Sequence, residues 1–209
     1  MTQEIELKFN FNSKDIDHLL AYLCSTVKIV QEKNIFLFNY YYDTDTLDLQ
    51  QQKIALRIRK VDDKFFLTIK AKEQVNNGLF EREEWEMQIF ENKITMELLP
   101  QKWQKILEPF SSKLKPIFAT NFQRHIWLIE LLNSIEQNLT TTKLEVAFDK
   151  GDIIAKNKKE KISELEIELI EGNKNAMLEF ALNLQKTLSL IINNKSKAKR
   201  GYELLFCDV

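Results

Sequence analysis

Two glutamates separated by one residue, Glu4 and Glu6, open the chain, and Lys8 follows at the same interval. Glu166 and Glu168 repeat the acidic pair, and Arg57 and Arg59 form its basic counterpart. On an extended strand, residues i and i+2 project from one side about 7 Å apart. Two carboxylates held this way repel unless something positive lies between them. Hard divalent cations such as Mg²⁺ and Mn²⁺ take oxygen ligands, which paired glutamates supply. Arginine offers a planar fork of donors that matches phosphate oxygens. These residue types can hold a polyanion on the basic side chains while carboxylates hold a metal. Metal-assisted phosphoryl transfer needs little beyond such neutralisation and orientation. No Ser/His/Asp or Cys/His arrangement and no glycine-rich phosphate loop accompanies them.

The elements that must position these groups are strands with charged faces. Charged and apolar residues alternate in Glu4–Phe9, Leu56–Arg59, Leu67–Lys72, Arg82–Met87, Leu144–Val146 and Glu164–Leu169. Any one of these could be an amphipathic strand with its polar side in water. Together they carry acid pairs on some strands and Arg/Lys pairs on others, an economical match to a closed antiparallel barrel with a charged lumen. Closure also removes exposed sheet edges. The apolar outer face then needs helices. Ser13 is placed to cap a helix over 14–25 bearing Ile16, Leu19, Leu20 and Leu23. A second helix is expected over 94–107, kinked or restarted at Pro100, and a third over 174–190 behind an Asn173 cap. Lys156 to Lys161 reads as a solvated loop. Phe36, Phe38, Phe65, Phe66, Trp85, Phe118 and Trp127 are expected in the core between barrel and helices, and Cys24 as a small buried hydrophobe. Glu83, on the opposite parity from Arg82 and Glu84, is expected outside the barrel. Lys72, Lys199 and Glu164 read as rim charges that favour solubility, and His18 and His125 as surface or packing residues.

Composition narrows the field. The chain has 209 residues, is 44% hydrophobic and 29% charged, and fits one domain, because three prolines and four glycines leave no flexible linker. A formal charge of −1 argues against a generally basic nucleic-acid surface. Cys24 and Cys207 form neither a disulfide framework nor a zinc pattern. The early charged residues leave no apolar signal core, and no apolar run approaches the roughly 20 residues of a membrane span. A cytoplasmic protein that engages neither membrane nor nucleic acid is expected.

The ordered motifs resemble the CYTH, or triphosphate tunnel metalloenzyme, superfamily. Glu4-Ile5-Glu6-Leu7-Lys8 matches its ExExK opening, and Tyr41-Tyr42-Asp43-Thr44 is similar to its second-strand motif. Leu56–Arg59, Thr68–Lys70, Gly78–Glu84, Thr120–Arg124 with Trp127, and Glu145–Asp149 with Gly151 follow in register. Glu164–Leu169 and Ser196–Tyr202 complete the set. ExExK alone is a weak signal; the series is a specific one. The resemblance is greatest to the catalytic domain of bacterial inorganic triphosphatases, which share the opening phrase Gln3–Phe9. It implies an α+β fold, a closed eight-stranded antiparallel β-barrel with helices packed outside, spanning 1–209 without the helical CHAD domain such relatives often carry.

The resemblance also implies roles. Glu4, Glu6 and Glu168 would be ligands of a Mg²⁺ or Mn²⁺ ion bound to the triphosphate, with Glu166, Glu84, Glu86 and Glu145 serving a second metal or the attacking water. Lys8, Arg57, Arg59, Lys70, Arg82, Arg124, Lys197 and Arg200 would grip phosphates; Lys8, Tyr41 and Lys70 would be catalytic, the last two matching a tyrosine and lysine that assist catalysis in thiamine-triphosphatase relatives. Hydrolysis of inorganic triphosphate, by a monomer or homodimer, is the implied function. Class IV adenylate cyclase, thiamine triphosphatase and a non-catalytic polyphosphate or organophosphate sensor are the alternatives.

Overall fold

The computed structural model describes residues 2–135 and 138–206, with side chains described for 2–132 and 140–206. Eight strands carry the architecture: β1 (Thr2–Asn10), β2 (Lys28–Asp43), β3 (Ile54–Val61), β4 (Lys64–Asn76), β5 (Leu79–Ile89), β6 (Lys115–Ile135), β7 (Asn138–Ala155) and β8 (Lys158–Glu171). They pair in the order β5-β4-β3-β2-β6-β7-β8-β1, and β1 pairs back onto β5 to close the barrel. The pairings are antiparallel throughout. A two-residue strand, β9 (Ile191–Ile192), continues the ladder on β1 beside Phe9 and Asn10.

Directly opposed residues in a ladder share a face, so the register decides what enters the lumen. Glu4 faces Arg82, Glu6 faces Glu168, and Lys8 faces Glu166. Arg57 is opposed by Tyr41 on one side and Thr68 on the other, and Arg124 by Asp149. The alternating charges of the sequence therefore converge inside the barrel, while the intervening apolar residues point outward.

Three apolar clusters hold this arrangement. On one wall, α1 (Ile16–Thr26) and α4 (Lys174–Leu188) bury Leu19, Leu23, Met177 and Leu184 against Leu7, Phe9, Trp127, Val146 and Ile167. On another, α3 (Gln101–Leu107) places Trp103 and Leu107 over Leu56, Ile58, Leu67 and Ile69. Each such fully buried side chain contributes about 1.5–3 kcal/mol relative to exposure. The third cluster forms where α5 (Lys197–Phe206) closes one end of the barrel, packing Tyr202, Leu204 and Leu205 against the inward-facing Leu37, Phe118, Phe122 and Ile153. Gly201 permits this approach, since a Cβ there would overlap the Phe118 ring. A short helix, α2 (Asp48–Gln51), follows β2.

Several local expectations are corrected. Ser13 begins a 3₁₀ turn instead of capping a helix, and Asn12 supplies the cap by accepting from the Lys14 amide at 3.1 Å. Asn173 does cap α4, accepting from Asn175 and Ala176. Pro100 splits the second helical segment into a 3₁₀ turn (Met96–Leu98) and α3. Lys158–Lys161 belongs to β8, with the turn confined to Lys156 and Asn157. Phe36 and Phe38 are 52% and 40% exposed, because they point outward from a stretch of β2 outside all three helix-covered clusters. Cys24 lies on the exposed side of α1, and Cys207 lies outside the described residues. Among the described residues, no helix is long and apolar enough to cross a membrane.

Candidate active site

The lumen contains a cavity of about 780 Å³ lined by residues of β1, β2, β3, β4, β5, β6, β7, β8 and the start of α5. Every residue assigned a site role from the sequence lines it except Arg200. That guanidinium turns away to Glu160 at 2.7 Å, Glu164 at 2.9 Å and the Lys161 carbonyl at 2.5 Å. Glu83 lies outside as expected, paired with Lys72 and Lys102.

The lumen holds two acidic clusters that differ in how they are neutralised. In the first, Glu4, Glu6 and Glu168 each offer an oxygen, all within 4.8 Å of one another. Lys70 reaches Glu4 at 2.7 Å, and Arg82 bonds Glu4 at 2.5 Å while also contacting Glu6 and, at 2.7 Å, Glu73. Among the described residues, no basic side chain lies within ion-pair distance of Glu168. Burial, reinforced by the charges of Glu4 and Glu6, pushes its carboxyl up to about 8. Burial also opposes ionisation of Glu4, but Lys70 and Arg82 outweigh it and hold that carboxyl well below the ordinary range. One carboxylate of the three thus lacks a compensating positive charge, and the all-oxygen donor set fits a hard divalent cation.

The second cluster, Asp149, Glu164 and Glu166, is equally compact but already neutralised. Lys197 contacts all three, at 2.6 Å to Asp149 and 2.8 Å to Glu166. Arg124 binds Asp149 bidentately with two 2.7 Å bonds and reaches Glu166, which Lys8 also holds at 2.5 Å. Burial would raise Glu166, but Lys197, Lys8 and Arg124 reverse the shift and hold it well below the usual carboxylate range. Arg124 and Lys197, disfavoured as cations by burial, are nonetheless raised by these carboxylates. Asp149 and Glu164 are fully buried. Glu164 is not the rim charge its sequence position suggested, and Asp149 had not been singled out. The signal was present for both: they continue the inward parity of Glu166/Glu168 and of Glu145.

Opposite the first cluster the walls are basic. Arg59 donates to Asn39 at 3.0 Å and, among the described residues, has no carboxylate within ion-pair distance. Burial, with repulsion from Arg57 and Arg124, lowers its guanidinium to about 10. The Nε of Arg57 is buried without a hydrogen-bond partner, and its contacts to Glu84 and Glu86 are 3.8 Å. Glu86 is opposed by burial, yet Arg57 and Arg59 hold its carboxyl down, and it accepts from Thr68 at 2.8 Å. Glu145 is pushed up by burial, with only a 3.5 Å contact to Arg124. Tyr41 stacks on Phe118 with centroids 4.5 Å apart. The cavity therefore has under-neutralised arginines facing an under-neutralised carboxylate cluster, a pairing suited to a bound metal–polyanion complex.

A closed barrel with a paired-charge lumen defines the class, and comparison with known proteins places the chain within it. Residues 2–202 match the CYTH domain, and the chain belongs to that family. It is 39% identical to the inorganic triphosphatase of Haemophilus influenzae over 209 residues, 98% of this chain and 55% of the relative. The chain thus spans little more than half that relative's length. Among solved structures it resembles HpAC1 of Hippeastrum, described as having a dominant triphosphatase activity (TM-score 0.64, 19% identity, covering 96% of this chain and 95% of the other). It also resembles a protein of Pyrococcus horikoshii (TM-score 0.55, 18% identity, covering 97% and 99%). At these identities the two structures speak to the fold.

Proposed function

We propose that the protein hydrolyses inorganic triphosphate to pyrophosphate and phosphate within the barrel lumen, in the cytoplasm. The observation that carries this reading is the juxtaposition across one cavity of Glu168 and Arg59, neither of which has an ion-pair partner among the described residues. The 39% identity to a curated inorganic triphosphatase supports the substrate.

In this reading Glu4, Glu6 and Glu168 would hold Mg²⁺ or Mn²⁺. Such an ion, when bound, supplies charge neutralisation at phosphate oxygens. Arg57 and Arg59 grip the phosphates, their incomplete pairing leaving donors free for oxygen acceptors. Lys70 and Arg82 touch both the acidic cluster and the lumen, so they align phosphate and carboxylates together. Tyr41, fixed by its stack on Phe118, presents its hydroxyl beside the arginine wall. Glu145, Glu84 and Glu86 remain to orient water, and burial raises the Glu145 carboxyl, the direction that makes a carboxylate a better proton acceptor. Lys8, Arg124 and Lys197 act chiefly through the neutralised cluster, which fixes the start of α5 against the lumen.

The test is an assay of purified protein with tripolyphosphate, ATP and thiamine triphosphate in Mg²⁺ or Mn²⁺. Phosphate release fastest from tripolyphosphate supports the proposal. Cyclic AMP from ATP with negligible release from tripolyphosphate overturns it in favour of a cyclase, and binding without turnover points to a sensor.

A further inference from the structure

The buried carboxylate of Asp43 takes no part in either acidic cluster, yet it joins two pieces of the cavity wall, the segment after β2 and α5. Asp43 is fully buried at the end of β2, two residues beyond Tyr41. Its Oδ1 accepts from the amides of Thr44 at 2.7 Å and Leu49 at 2.9 Å. Its Oδ2 accepts from the Gln50 amide at 3.0 Å and the Tyr202 hydroxyl at 2.9 Å. Four donors converge on one carboxylate, and among the described residues no basic side chain is in ion-pair contact with it, a pattern that fixes backbone and side-chain positions together.

The four donors come from two parts of the site, three from the segment that follows β2 and one from α5. Leu49 and Gln50 belong to the 44–53 turn, whose Gln50 and Lys53 line the cavity. Tyr202 lies on α5 and also lines the cavity. Its ring meets Phe118 edge-on at 5.2 Å and 75°, and Phe118 in turn stacks on Tyr41. Displacing Tyr202 would therefore move both the closing helix and the support behind Tyr41.

We infer that Asp43 is a positioning residue for substrate binding: it locks the 44–53 turn to α5 and so sets the cavity in which the polyphosphate is held. The inference rests on the triphosphatase reading. Asp43 touches no substrate; it acts through Gln50, Lys53 and Tyr202. Asp43→Asn replaces an acceptor oxygen by an NH₂ group facing N–H and O–H donors, so the lock loosens while side-chain volume is kept. The metal cluster and the arginine pair are left intact, which separates binding from chemistry.

The experiment measures tripolyphosphate hydrolysis with Mg²⁺ and, by titration calorimetry, tripolyphosphate binding to the metal-free protein. Wild type, Asp43→Asn, Tyr202→Phe and the double variant are compared at a temperature where all are folded. The expected result is a KM and dissociation constant raised about tenfold in Asp43→Asn and less in Tyr202→Phe, with kcat within about threefold. The double variant should be no weaker than Asp43→Asn alone, because both changes break one lock. Lowered thermal stability with unchanged KM and binding would make Asp43 merely structural and overturn the inference. So would additive effects or a fall in kcat alone. Should Asp43→Asn not fold, Tyr202→Phe decides by the same KM–kcat split, an unchanged KM counting against the inference. Wild-type protein that neither binds nor cleaves tripolyphosphate removes the functional reading and the inference with it. Wild-type turnover with unaltered variants removes the inference alone.

Discussion

The two carboxylate triads of the lumen have the same size, the same residue chemistry and opposite situations. Asp149, Glu164 and Glu166 are enclosed by Lys8, Arg124, Lys197 and Arg200, whereas among the described residues no basic side chain comes within ion-pair distance of Glu168 in the other triad. A compact acidic group alone therefore does not define a metal site. Asp149, Glu164 and Glu166 hold the barrel to α5; Glu4, Glu6 and Glu168 leave one carboxyl without an ion-pair partner among the described residues, a set that a cation would complete.

That difference can be broken most forcefully at Lys197. Replacing it with Met removes a cation that contacts all three buried carboxylates, and the expected loss is about 3–5 kcal/mol of unfolding free energy, read from urea denaturation. A much smaller loss would show that the triad is wetter than its burial implies. In the other triad, Glu4→Gln/Glu6→Gln should leave the protein folded, as judged by circular dichroism, and lower tripolyphosphate turnover at least about a hundredfold. Full activity in that variant would remove the metal assignment. Arg59→Gln is expected to raise KM about tenfold with little change in stability, because burial and two neighbouring arginines already disfavour its charge.

The triads should also answer pH with opposite signs. Glu166 is held ionised in the fold, so its contribution is present above the ordinary carboxylate range and fades as the solution is acidified through its depressed folded value. Glu168 behaves in reverse. Between about 4.5 and about 8 the folded, metal-free protein keeps a proton that the unfolded chain has released. Stability should therefore decline as pH rises through that window, and Glu168→Gln should flatten the decline. Denaturation of the metal-free protein at several pH values measures the effect.

Much of this was legible in the sequence because a strand's period of two sorts side chains cleanly. The alternation in Glu4–Phe9, Arg82–Met87 and Glu164–Leu169 announced the charged lumen, and the ordered motifs map onto β1 to β8 and α5. The pairing of those charges was not legible. Lys197 meets Asp149 and Glu166 across 48 and 31 residues of chain, and the strand register brings them together. Nor does alternation tell which outer wall receives a helix. Phe36 and Phe38 look like core in sequence and lie exposed because their stretch of β2 falls outside the helix-covered clusters. Glu164 was misplaced because its parity was right but its cationic partners, Lys197 and Arg200, lie on a distant helix.

The claim that Glu4, Glu6 and Glu168 form the metal site is tested most directly by calorimetric titration of wild type and Glu168→Gln with Mn²⁺ at pH 7, in buffers of different ionisation enthalpy. Binding to wild type should release about one proton, displaced from the Glu168 carboxyl, and Glu168→Gln should bind at least about tenfold more weakly without that release. Equal affinity and equal proton release in the two proteins would contradict the assignment.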